Sequence, residues 1–125
     1  MLQSVSPNIF VSDMDATIQC YRNMGFEVAM SVPETGAPVW VMMTLGSVSF
    51  MFQTLDSVAQ ELPEMSRNGA GSLLLYIQMK GLRAFHDRIK DLVKVIKPIE
   101  TTFYGATEFS VLDVNGYVLT FAEDE

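Results

Sequence analysis

Two stretches six residues apart, Ser6-Pro7-Asn8-Ile9-Phe10-Val11-Ser12-Asp13 and Cys20-Tyr21-Arg22-Asn23-Met24-Gly25-Phe26-Glu27, carry most of the information about the fold. In the first, Val5, Pro7, Ile9 and Val11 point one way and Ser6, Asn8 and Phe10 the other, which predicts a strand with one apolar and one mixed face. Ser12-Asp13-Met14-Asp15 then supplies a capping side chain and early negative charge. Ile18, Tyr21, Cys20 and Met24 follow at helical spacing until Gly25 stops the run. A strand feeding a helix of about ten residues is expected.

Working outward, three further strands are expected over Phe26 to Val32, Val39 to Leu45 and Val48 to Thr54, separated by a Pro- and Gly-bearing turn and by Gly46-Ser47. Residues 55–71 lose both periodicities and read as a connector with room for a short helix. The pattern then restarts. Leu73, Leu75 and Ile77 alternate with Leu74, Tyr76 and Gln78. A helix is expected from Gly81 to Leu92 on the spacing of Leu82, Phe85, Ile89 and Leu92, and strands over Val93 to Ile96, Thr101 to Tyr104, Glu108 to Asp113 and Tyr117 to Ala122. The βαβββ order thus occurs twice at an offset of about 66 residues, an internal duplication within one domain spanning 1–125: module one 1–54, connector 55–71, module two 72–125.

Together with the closing run Phe109-Ser110-Val111-Leu112-Asp113-Val114-Asn115-Gly116-Tyr117-Val118-Leu119-Thr120-Phe121 and its first-module counterpart Gly46 to Phe52, these segments resemble the vicinal oxygen chelate superfamily of glyoxalases, extradiol dioxygenases, fosfomycin-modifying enzymes and bleomycin resistance proteins. The resemblance implies an α+β fold of two βαβββ modules whose eight strands form an incomplete mixed barrel. It also implies a divalent metal on the first and last strand of each module, at positions that fall here on Ser6, Met51, Ser72 and Thr120. One thioether and three neutral hydroxyls suit a hard or borderline divalent cation poorly, so no metal and no cofactor is expected, and the bleomycin-resistance-like branch is the nearest match. Asn115-Gly116 is expected to form a tight hairpin turn with positive φ.

Residues in phase with Asn8 should look away from the helices. They include Asn8, Phe10, Ser49, Met51 and Gln53, joined by Trp40 and Met42 if their strand keeps register, and Tyr76, Gln78, Glu108, Ser110, Val118 and Thr120. Such an apolar and aromatic lining with a few polar groups has the character of a small-molecule site. Asn8, Phe10, Trp40, Met51, Gln53, Tyr76, Tyr104 and Glu108 are the candidate ligand-binding residues. Tyr104 and Glu108 are also the candidates for any acid–base role, Glu108 as base. The nine methionines, with Met14, Met24, Met30, Met42 and Met43 in the first module, offer either core filling or an adaptable binding surface.

Charge and composition narrow the function. With 15 acidic and 8 basic residues the net charge is -7, which disfavours nucleic acid and anionic lipid as partners. Up to residue 66 there are seven acidic side chains and one basic, Arg22, so a cationic and aromatic ligand is favoured there. Cys20 is the one cysteine and reads as a buried helix residue, and His86 is the one histidine and reads as a helix-surface residue. Zinc-finger and Cys–His protease chemistry therefore lack their ligands. No nucleotide-binding or hydrolase motif occurs. The N-terminal segment lacks a basic n-region and apolar run, so a cytoplasmic location is expected. Three readings follow: a metal-free binding protein holding a small molecule, such as an antibiotic, in a homodimer cleft; a lyase, isomerase or dioxygenase-type enzyme; and an assembly module with a filled cavity. A homodimer is expected because half-open sheets leave edges a second chain can complete.

Overall fold

The computed structural model describes residues 1–59, 62 and 73–124. The chain divides into two compact units, Met1–Asn68 and Gly69–Glu125. In the first, β1 (Asn8–Val11), α1 (Met14–Met24), β2 (Glu27–Val32), β3 (Trp40–Leu45) and β4 (Val48–Thr54) precede a short helix, α2 (Leu55–Val58), which occupies the start of the expected connector. In the second, β5 (Leu74–Gln78), α3 (Leu82–Ile89), β6 (Lys94–Thr101), β7 (Ala106–Leu112) and β8 (Val118–Asp124) repeat the order. Each unit carries one open four-stranded mixed sheet, β1-β4-β3-β2 and β5-β8-β7-β6. The first strand runs parallel to the fourth, and the other neighbours are antiparallel. This is the α+β architecture of two βαβββ modules, with neither sheet closed.

In the first unit the alternation of β1 works as expected. Ile9 and Val11 are buried with Val41, Met43, Phe50 and Phe52 under α1, whose Tyr21 and Met24 are fully buried. Aromatic rings dominate this core: Tyr21 lies 4.7 Å from Phe52, and Phe26 stacks on Phe50 at 5.5 Å. Asp13 caps α1, its Oδ1 accepting from Ala16 N at 3.0 Å, and Gly25 closes the helix at φ 109, a left-handed conformation natural only to glycine. The buried stripe of α1 is Met14, Thr17, Tyr21 and Met24, whereas Cys20 is only half-buried, one position off the stripe. Thr17 fits inside because its hydroxyl donates to the Asp13 carbonyl at 2.8 Å, so a polar side chain is buried without losing its hydrogen bond.

In the second unit Phe85, Phe109 and Phe121 form the equivalent aromatic core, with Phe85 and Phe121 4.9 Å apart and Leu82, Ile89, Val111 and Leu119 around them. Gly81 precedes α3 in the left-handed region and offers no side chain to cap it. Glu123 from β8 takes that role, its carboxylate accepting from Gly81 N at 3.1 Å and Leu82 N at 3.0 Å. Those two bonds hold the Glu123 carboxyl below the usual carboxylate range.

Three expectations are corrected here. The strands expected over Val93 to Ile96 and Thr101 to Tyr104 are one continuous strand, β6, and residues 102–105 are a turn. Pro98 does not break β6 because β6 is an edge strand: an outward-facing position needs no ladder N–H, and the register shifts between Lys97 and Glu100 absorb the irregularity. α3 ends at Ile89, leaving Leu92 beyond it and exposed. At the β7–β8 turn only Gly116 has positive φ, 88°, so Asn115-Gly116 is not a two-residue hairpin. The Asp113 carboxylate organises a longer loop instead, its Oδ1 accepting from Asn115 N and Tyr117 N, both at 2.8 Å.

Candidate ligand-binding faces

The sheet register fixes which side chains share the face away from each helix. In the first unit Asn8 pairs with Met51 and Phe10 with Gln53 across β1–β4. Met42 pairs with Met51 and Trp40 with Gln53 across β3–β4. Asn8, Phe10, Trp40, Met42, Met51 and Gln53 therefore lie on one face, and all are half-buried. The strand carrying Trp40 and Met42 does keep register. At the exposed edge β2 adds Met30 opposite Met42 and Val32 opposite Trp40, with more than half of each side chain in solvent.

Polar groups on this face form a short chain. Asn8 Nδ2 donates to Gln53 Oε1 at 3.0 Å, and Gln53 Nε2 donates to Ser57 Oγ at 3.2 Å. Ser57 was not visible as a site residue in the sequence. Its placement follows from the α2 cap, where Thr54 Oγ1 accepts from Ser57 N and the Ser57 hydroxyl donates to the Thr54 carbonyl. Asn8 Oδ1 is buried and has no hydrogen-bond partner among the described residues.

The second unit presents different chemistry. Tyr76 pairs with Thr120, Thr120 with Ser110, and Glu108 with Ala122. Glu108 Oε2 accepts from the Tyr76 hydroxyl at 2.7 Å and also from the Tyr104 hydroxyl, which reaches it from the 102–105 turn. Both phenols are thereby raised above the ordinary tyrosine value, chiefly because ionisation would forfeit the hydrogen bond to the carboxylate and set a second negative charge beside it. Lys97 and Glu100, absent from the sequence-based site, stand across β6–β7. Glu100 pairs with Glu108, and Lys97 Nζ lies 3.0 Å from Glu100 Oε1, which pushes the ammonium pKa up. Deeper on the same face Ser110 and Thr120 are buried and share a 2.8 Å hydrogen bond.

The residues at the metal positions implied by resemblance are poor donors for a divalent ion. Ser6 lies exposed before β1, Ser72 lies outside the described residues, Met51 sits among methionines, and the Thr120 hydroxyl is committed to Ser110. Among the described residues no group of three or more His, Cys, Asp or Glu could hold a metal ion. His86 is held away from the candidate face, its ring edge-on to Phe109 at 4.9 Å. A separate open cleft of about 300 Å³ is lined by Gln78, Met79, Lys80, Ala122, Glu123 and Asp124, but its Glu123 carboxylate is already spent on α3. Among the described residues no helix is long and apolar enough to cross a membrane.

The repeated topology and its two open faces agree with the comparisons with known proteins. The family model described as Glyoxalase/Bleomycin resistance protein/Dioxygenase superfamily matches residues 3–121. The chain belongs to that superfamily. Among solved structures it is similar to a protein of unknown function from Agrobacterium tumefaciens str. C58, with 22% identity, a TM-score of 0.81, and coverage of 100% of this chain and 96% of that one. It is also similar to a bleomycin-binding protein complexed with bleomycin, with 17% identity, a TM-score of 0.71, and coverage of 99% and 100%. A glyoxalase-related enzyme from Fulvimarina pelagi matches with 14% identity, a TM-score of 0.79, and coverage of 98% and 89%. No curated protein sequence matches. At these identities the structural likenesses establish the superfamily fold, and the chemistry must come from this chain's own faces.

Proposed function

We propose that this superfamily member is a binding protein for a bulky aromatic small molecule that carries a positive charge, held without a divalent metal in a cleft that a second copy completes. The observation that carries this reading is the Tyr76–Glu108–Tyr104 group. Two phenols converge on one carboxylate oxygen, and Glu108 Oε1 takes no hydrogen bond among the described residues. A carboxylate fixed between two half-exposed rings suits an ammonium or guanidinium group, through a charge-assisted hydrogen bond to the free oxygen and contact with the ring faces. The raised phenols remain neutral donors at physiological pH, so they orient the carboxylate and do not compete for the cation. In the first unit Asn8, Phe10, Trp40, Met51 and Gln53 form a second candidate surface, apolar with amide groups, suited by itself to an aromatic ligand.

The same geometry weighs against the acid–base alternative. A phenol raised by its carboxylate partner is far from the pKa near operating pH that a general acid needs, and among the described residues no imidazole joins the group. The dimer component rests on Leu74 and Tyr76, about half exposed in the single chain on the candidate face, where ligand and partner can both cover them. Bleomycin, bound by one of the structural neighbours, is the first compound to titrate, followed by a panel of aromatic amines and neutral aromatics. Calorimetry should show binding of a cationic member that weakens tenfold or more in Glu108→Gln, with native mass spectrometry reporting two subunits in the complex. If no cationic compound binds or raises the melting temperature, the binding reading fails and the assembly-module reading takes its place.

A further inference from the structure

Three methionines of the first unit form a row, of which the small-molecule reading uses only Met51. Met30 on β2 is paired directly with Met42 on β3, and Met42 with Met51 on β4, so three thioethers stand side by side on one face of three adjacent strands. Neighbouring strands are about 4.8 Å apart, which places the outer two backbones about 10 Å from each other across Met42; each outer side chain has about half that distance to cover. Methionine has three rotatable bonds and a polarisable sulfur, and can turn toward a common point. The row starts at the edge strand, where Met30 is 58% exposed and gives access from solvent, and runs inward to half-buried Met42 and Met51. It ends at Asn8, the partner of Met51, whose buried Oδ1 lacks a hydrogen-bond partner among the described residues.

The donor chemistry decides what such a row can hold. Thioether sulfur is a poor ligand for calcium, magnesium or zinc, the same reason Met51 fails at a divalent position, but soft donors of this kind select monovalent copper. Arg22, the one basic residue up to position 66, lies on α1 and so on the other side of the sheet from the row. A positive charge beside the unsatisfied Asn8 oxygen would also remove the cost of burying it. We infer that Met30, Met42 and Met51 form a binding site for a soft monovalent cation of the copper(I) class, with Asn8 Oδ1 at its inner end. This site shares Met51 and Asn8 with the first unit's candidate ligand surface and does not involve the Glu108 group.

Silver(I), which does not change oxidation state under assay conditions, is the probe. The full-length chain carrying Cys20→Ser, which removes the competing thiol, is titrated with silver nitrate in chloride-free buffer and followed by native mass spectrometry and calorimetry. One silver ion per chain is expected. Met42→Leu, which keeps volume and apolarity, should weaken binding at least tenfold, and Met79→Leu, outside the row, should not. If Met42→Leu fails to fold, Met30→Leu at the exposed edge provides the same test. The inference is overturned if the Cys20→Ser chain binds no silver, if the row variants bind as tightly as their parent, or if zinc competes for the site at equal concentration.

Discussion

The phenol–carboxylate group makes a prediction that can be counted. The chain has four tyrosines. Tyr21 and Tyr117 are buried, while Tyr76 and Tyr104 are 48% and 57% exposed. Exposed phenols ordinarily ionise near about 10, and on exposure alone two of the four should give a tyrosinate absorbance step there. Both exposed phenols donate to Glu108 and both are raised, so the folded protein should show no such step. Replacing Glu108 by Gln removes the negative charge and the strong acceptor together. The variant should regain a step near about 10 with half of the amplitude seen on full denaturation, two phenolates of four. Because the largest cause is the hydrogen bond and not the through-space charge, adding salt to the wild type should recover little of the step. Tyr76→Phe separates the partners: Tyr104 keeps its bond to Glu108 and should stay raised. A full two-tyrosine step near 10 in folded wild type, or identical titrations for wild type and Glu108→Gln, would refute the geometry and with it the site built on Glu108. The sign for stability follows. A phenol raised on folding contributes stability that is complete below about 10, the unfolded value, and is lost as pH rises through the folded value. Wild type should therefore lose more stability than Glu108→Gln on going from neutral pH to above 10, as read by urea midpoints.

Three further outcomes test other parts of the structure. Ser110→Ala and Thr120→Val should each cost about 1–3 kcal/mol, because each strands a buried hydroxyl, while the double variant should cost clearly less than their sum in urea unfolding; strict additivity would show that the 2.8 Å bond does not form. Asp13→Ala, which removes the α1 cap, should cost about 1 kcal/mol in the same assay, and Asp13→Asn much less, since the amide oxygen can still accept from Ala16 N. Glu123 is lowered by the two N–H groups it caps, so its contribution is present above its unfolded value near about 4.3 and lost as pH falls through the folded value. Glu123→Gln should accordingly flatten the acid side of the melting-temperature profile, and an unchanged profile would remove the cap from the account.

How far the sequence could be read depended on the kind of physics each residue obeys. Period-two alternation reports burial, and burial decides the side of the sheet. Ile9 is therefore legible in the sequence as part of an apolar strand face, and Asn8 and Gln53 as members of the opposite face, which Trp40 joins because its strand keeps register. Alternation says nothing of edges. Periodicity splits 93–104 into two strands around Pro98, and only the sheet order shows that β6 is an edge, where a proline is tolerated within one strand. Hydrogen bonds between distant side chains were equally invisible. Tyr104 and Glu108 could be grouped because four residues and a turn separate them, but the donor from Tyr76, thirty-two residues away, depends on the β5–β8–β7 order. The burial of Thr17 is equally hidden from hydropathy, since it rests on a hydrogen bond to a backbone carbonyl.

The two units also show where this fold leaves chemistry free to vary. Under each helix the sheet must be apolar, and both units meet that demand with clustered phenylalanines, Phe26, Phe50 and Phe52 in one and Phe85, Phe109 and Phe121 in the other. The opposite faces carry no such demand, and they differ. The first offers thioethers and amides with no titratable group in the paired rows of Asn8 and Phe10, and the second offers a carboxylate, two phenols and a buried hydroxyl pair. The carboxylate of the second face suits a charged organic group, and the thioethers of the first suit a soft, polarisable one. Exchanging residues between equivalent strands should therefore move binding preference while leaving each core intact, because the side chains that select ligands and those that hold the helix alternate along the same strands.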